Sequence, residues 1–144
     1  MRRGAAPSRW FAETEIDVQF FDLDPMNIVW HGNYVKYLEI ARCALLDSIG
    51  YNYMQMKDSG YMWPVIDVNL RYIGSAVFGQ RLKVRAELVE WENRLKVEYL
   101  VTDAASGKRL TRASTTQVAV DIKTGEMCFG SPAILYEKLG VHPQ

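Results

Sequence analysis

At 144 residues and 49% hydrophobic content, the chain has the length of one domain and enough apolar side chains to fill a core. Seventeen lysines and arginines balance seventeen aspartates and glutamates, so no net field draws the protein to nucleic acid or to an anionic membrane surface. No stretch approaches the roughly 18 apolar residues of a membrane span, and the basic start Met1-Arg2-Arg3 leads into Gly4-Ala5-Ala6-Pro7, not into the apolar run of a secretion signal. A soluble, unexported, cytoplasmic protein is expected, with a flexible N-terminus over residues 1–12 and one domain over residues 13–140.

Thr14 to Phe20 alternates, with Ile16, Val18 and Phe20 opposite Glu15, Asp17 and Gln19, the period of a half-buried strand. The step Asp24-Pro25 ends it in a turn. From Asn33 to Ile49 the period becomes helical: Tyr34, Leu38, Ala41, Leu45 and Ile49 share one face, while Lys36, Glu39 and Asp47 lie off it. Asn33 is a fitting N-cap, and Gly50 fits the left-handed position just past the end. Tyr51 to Gly60 has no clean period and is open between a short helix and a loop. Four strand-like runs follow, Met62–Ile73, Arg81–Glu92, Arg94–Asp103 and Arg109–Ile122, joined by turn chemistry at Asn93, Gly107 and Gly125. Ser131-Pro132 reads as an N-cap with proline at the first helical position, opening a helix through about Leu139. Cys43 and Cys128 have no metal-ligand spacing and read as reduced, buried packing residues.

One strand, one long helix and an antiparallel meander predict an α+β domain whose sheet curls around the helix. The sheet has to bury one face, and the apolar side of the helix supplies the filling. The remaining edge strands are safest paired with a second subunit, so a homo-oligomer is expected.

The chemistry concentrates between Phe20 and Tyr34. Asp22 and Asp24 sit in a turn just ahead of a helix start, where a carboxylate serves as base or nucleophile and free N–H groups hold negative charge on an oxygen. An ordinary Asp-Pro turn accounts for the same residues. Trp30, Tyr34, Tyr37 and Trp63 either line a ligand pocket or fill the core. The strand and turn cations, Arg71 to Arg112, either grip phosphates or form solvated sheet faces.

The run Asp22-Leu23-Asp24-Pro25-Met26-Asn27-Ile28-Val29-Trp30-His31-Gly32-Asn33-Tyr34, followed by Tyr37-Leu38-Glu39 and Arg42, strongly resembles the hotdog-fold thioesterases. The nearest branches are the 4-hydroxybenzoyl-CoA thioesterases and the Tol-Pal-associated acyl-CoA thioesterases. The resemblance implies a long central helix wrapped by a curved antiparallel sheet of five to six strands, a homodimer or homotetramer with sites at the subunit interface, and no metal or redox cofactor. It implies hydrolysis of an acyl-CoA or acyl-carrier-protein thioester to free acid and thiol. Asp24 takes the place of the catalytic carboxylate, and His31 the place whose backbone N–H polarises the carbonyl. Trp30, Gly32, Asn33 and Tyr34 form the substrate-binding segment at the helix start. Asp22 reads as a loop-stabilising acceptor. His31 stands where the benzoyl branch has tyrosine and the Tol-Pal branch histidine, which leaves aromatic and aliphatic acyl groups both open. A hotdog hydratase or dehydratase and a non-catalytic acyl-thioester-binding module are the alternative readings. Pro25 directly after Asp24 speaks against the hydratase, and the carboxylate itself against the module.

Overall fold

The computed structural model describes residues 10–142. Residues 1–9 of the predicted flexible segment lie outside the described residues. Strand β1 (Phe11–Asp17) begins earlier than the alternation suggests, because its main chain pairs with a neighbouring strand from Phe11 onward, opposite Glu87. It also ends earlier, at Asp17, and Phe20, the last residue of the predicted run, opens a 3-10 turn over Phe20–Asp22.

Helix α1 (Tyr34–Ser48) buries Tyr34, Tyr37, Leu38, Ala41, Leu45 and Leu46 against the sheet. Leu38, Leu45 and Leu46 are each 1% exposed, and each contributes on the order of 1.5–3 kcal/mol by leaving water. Asn33 stands at the N-cap position of α1, as expected, but its side chain makes no cap bond. Its backbone is helical (φ −70°, ψ −19°) and its side chain is taken by the Asp22 carbonyl, because a 3-10 turn over His31–Asn33, with extended Trp30 at its own N-cap position, leads directly into the helix. The C-terminus matches expectation. Gly50 has φ +71°, its N–H donates to the Asp47 carbonyl, and the Tyr51 N–H donates to the Leu46 carbonyl, the paired bonds of a Schellman motif. A Cβ at Gly50 would touch nothing within 4 Å, so Gly50→Ala isolates the backbone cost of positive φ. We expect it to lower the unfolding free energy by about 1 kcal/mol in urea titration.

The open segment is helical: α2 (Tyr53–Asp58) starts from a reciprocal capping box between Asn52 and Gln55. The first predicted long strand divides at Pro64, which has no N–H to give a ladder, into β2 (Tyr61–Met62) and β3 (Val65–Tyr72). Next come β4 (Arg81–Glu90), β5 (Leu95–Asp103), β6 (Arg109–Gln117) and the short β7 (Val120–Asp121), which pairs with β2. The main sheet runs β1-β4-β5-β6-β3, antiparallel throughout. Leu82, Val84, Ala86 and Leu88 on β4, with Leu95, Val97, Tyr99 and Val101 on β5, are buried at the two-residue period of one sheet face. Helix α1 packs on the β1–β4 side of that sheet. Helix α3 (Ala133–Leu139) starts one residue later than expected, because Pro132 is extended (ψ 157°) and is itself the cap.

Cys43 and Cys128 are free thiols, half-buried where full burial was expected. Burial pushes the Cys43 thiol above its usual range, away from a reactive thiolate. Among the described residues no helix is long and apolar enough to cross a membrane.

Candidate active site

The turn between β1 and α1 is held by Asp22. Its carboxylate is buried and accepts from the Gln19 N–H and the Tyr37 hydroxyl, each at 2.9 Å. Its carbonyl accepts from the Trp30 N–H at 2.9 Å and the Asn33 side chain at 2.8 Å. One residue therefore joins the end of β1, the returning limb of the loop and the start of α1. Burial, reinforced by the bond to Asp22, holds the Tyr37 phenol well above its usual range. Asp22 is the loop-stabilising acceptor expected of it.

Beyond Asp22 the chain folds back on itself. Leu23 and Val29 form a β-bridge, the Asp24 N–H donates to the Ile28 carbonyl at 2.9 Å, and Asn27 turns the corner at φ +63°. Asp24 is half-buried, and its Oδ1 accepts from the Met26 N–H at 2.8 Å. Among the described residues no donor reaches its Oδ2. The Val29 N–H then donates to the Ala76 carbonyl at 2.9 Å, which pins the loop to the β3–β4 connection.

The helix start supplies donors. The Asn33 N–H is the first in the turn to find a helical acceptor, the Trp30 carbonyl at 2.9 Å. The N–H groups of His31 and Gly32 come before it, so the helix itself gives them no partner. They sit at the positive end of the run that continues through α1. The Trp30 ring lies over Gly32 so closely that a Cβ there would come within 2.3 Å of it, which is why glycine suits this position.

A cleft of about 350 Å³ opens beside this turn. His31 and Tyr34 form one wall, Ile28 and Val29 another, and Tyr72 and Ile73 close it from the end of β3. Of the residues singled out in the sequence, His31 and Tyr34 meet here. Trp30 is 49% exposed and lies outside it beside His31, with ring centroids 5.2 Å apart and the rings tilted by 46°. Asn33 is buried under Asp22, and Asp24 is in the loop whose opposite limb forms the Ile28–Val29 wall. Tyr37 and Trp63 are core residues: the first holds Asp22, and the Trp63 indole donates to the Tyr51 hydroxyl at 3.1 Å. Tyr72 and Ile73 were missed, and nothing in the spacing of an exposed edge strand marks them.

The cations divide. Arg81 pairs with Asp17 and Glu15, Lys83 and Arg85 with Glu13, and Arg94 with Glu90, so these four are engaged in surface pairs. Among the described residues no group of three His, Cys, Asp or Glu side chains comes together as a metal site.

Comparison with known proteins gives this arrangement a family. YneP of Bacillus subtilis (strain 168), provisionally named an acyl-CoA thioesterase, is 27% identical over 110 residues, 76% of this chain and 80% of that protein. The long-chain acyl-CoA thioesterase FadM of Escherichia coli (strain K12) is 25% identical over 114 residues, 78% of this chain and 85% of its own length. The solved structure of a DHNA-CoA thioesterase from Staphylococcus aureus superposes with a TM-score of 0.76 at 26% identity, covering 83% of this chain and 80% of that one. The model of the thioesterase-like superfamily matches residues 18–137, and the chain, a helix wrapped by an antiparallel sheet in the hotdog manner, belongs to that superfamily.

Proposed function

We propose that this protein hydrolyses acyl-CoA thioesters to the free acid and the thiol, using Asp24 as nucleophile or general base and the His31 N–H as the oxyanion donor. The observation that carries the reading is the pinned turn: Asp22, two residues before Asp24, ties the loop to a helix start whose first two N–H groups have no helical acceptors, which supports these roles. The family supports it, since YneP and FadM are both named for acyl-CoA thioester hydrolysis.

A thioester carbonyl is already electrophilic, so hydrolysis needs a positioned attacker and a place for the negative charge. In the base route, Asp24 takes a proton from water as the water oxygen bonds to the carbonyl carbon. The carbonyl oxygen becomes an oxyanion facing the helix start, and the thiolate leaves as the carbonyl re-forms. In the nucleophilic route, Asp24 itself bonds to the carbon and expels the thiolate, and water then cleaves the mixed anhydride. Both routes end in acid and thiol. An oxyanion donor of this kind contributes on the order of 3–4 kcal/mol to the barrier.

Homodimer formation belongs to the same reading. Strand β3 is one of the two edges of the sheet, and Val65, Ile66 and Val68 on it are exposed. A long apolar edge is stable in water when a second strand covers it. Sedimentation is expected to give a particle of at least two 16.5 kDa chains, and a monomer at micromolar concentration would remove this part of the proposal.

The test of function is release of free thiol from benzoyl, phenylacetyl, short aliphatic and long aliphatic thioesters, each carried on CoA and on acyl carrier protein. Release from at least one CoA thioester is the expected result. Silence on the whole panel would leave the non-catalytic binding module in its place.

A further inference from the structure

The Tyr72 hydroxyl, at the end of edge strand β3, donates to the His31 carbonyl at 2.8 Å across 41 residues of sequence. That carbonyl already accepts the Tyr34 N–H within the helical turn, so the second bond is not needed to satisfy it. Nor is Tyr72 compelled to it by full burial, being 46% exposed. What the bond does is tether. In a helical turn every C=O points toward the C-terminus and every N–H toward the N-terminus, so a clamp on the His31 carbonyl fixes the direction of the donors on the other side of the same turn. The carbonyl of His31 and the N–H of Gly32 belong to one planar trans peptide, so the first cannot swing without the second. Two donors on one carbonyl also polarise that peptide and strengthen its N–H as a donor. The Tyr72 ring meets Tyr34 at 5.4 Å and His31 at 6.3 Å between centroids, which holds the hydroxyl in place from both sides.

We propose that Tyr72 is a positioning residue for the reaction: by clamping the His31 carbonyl to β3, it fixes the peptide that carries the Gly32 N–H, so that this donor stands beside the His31 N–H in the orientation that receives the oxyanion. This rests on the thioesterase reading above. It acts through the helix start and touches no reacting atom. Its contribution therefore belongs to the transition state and not to the hold on the resting substrate.

Tyr72→Phe tests it, because phenylalanine keeps the ring contacts and removes only the clamp. The probe is benzoyl-CoA or octanoyl-CoA, whichever the wild type turns over faster. The expected result is a kcat lowered about tenfold with KM changed by less than about twofold and an unaltered thermal midpoint. A second readout separates positioning from structure. In an Asp24→Asn background the same thioester, isotopically labelled at its carbonyl carbon, is held unreacted, and its carbonyl stretch reports how strongly donors polarise it. Adding Tyr72→Phe is expected to move that stretch toward its value in solution. An unchanged kcat, or a lowered kcat with an unmoved stretch, would overturn the positioning role while wild-type turnover and its loss in Asp24→Asn still stood. A wild type inactive on the whole panel would overturn the reaction and the positioning role together.

Discussion

Asp24→Asn is expected to cut thioester turnover at least about a hundredfold, equivalent to about 2.7 kcal/mol of barrier, while leaving the fold and substrate binding in place. The argument is geometric. Asparagine keeps an oxygen where Oδ1 now accepts from the Met26 N–H, and the main-chain bonds to Ile28 and Asn27 do not involve the side chain, so the turn survives. What disappears is the capacity to take a proton or to attack a carbonyl. Asp22→Asn is the matched control. Asp22 Oδ2 is buried and already bonded to the Gln19 N–H and the Tyr37 hydroxyl, so its replacement is expected to show first as lost stability. Thiol release measured beside thermal unfolding distinguishes the two. Full turnover in Asp24→Asn would remove Asp24 from the mechanism, whichever route is considered.

The parts of this fold that were legible in the sequence are those fixed by local periodicity. Tyr34, Leu38, Ala41 and Leu45 repeat at helical spacing because one face of α1 meets the sheet, and Gly50 marks the end because only a residue at ease with positive φ closes that turn without strain. The meander was equally plain, since every second residue from Leu82 to Leu88 and from Leu95 to Val101 is apolar and buried, although Glu87 and Glu98 between them are buried too. Asn33 misled because its residue type suits a cap, yet a partner distant in sequence, the Asp22 carbonyl, claims its side chain. Strand β3 was legible as a strand, but being exposed at the edge it shows no inward and outward alternation from which the direction of Tyr72 could be inferred. Half of the candidate cleft comes from that strand and the connection after it. The turn bearing Asp24 was readable from its residues, whereas the wall it faces depends on sheet order, which a contact across 41 residues settles and local pattern does not.

Arg42→Ala is expected to lower the unfolding free energy by about 3 kcal/mol, the largest stability effect among the changes considered. Arg42 is 2% exposed, yet it carries a full charge into the interior side of α1. Its guanidinium bonds to Glu39 one turn earlier and to the Tyr53 hydroxyl of α2 at 2.8 Å, while that hydroxyl donates to Glu39 Oε2 at 3.1 Å. The three side chains join α1 to α2. Truncation to alanine removes a long buried stem along with the charge, and the cavity accounts for most of the loss, because Glu39 and Tyr53 are exposed enough for water to replace the guanidinium. Arg42→Met separates the two contributions. Methionine fills much of the stem's volume without a charge, and it also abolishes the guanidinium Nε, a buried donor with no partner among the described residues. Its expected loss is about 1 kcal/mol in the same urea titration. A methionine variant as unstable as the alanine variant would show that the bonds to Glu39 and Tyr53, and not the packed stem, hold the two helices together.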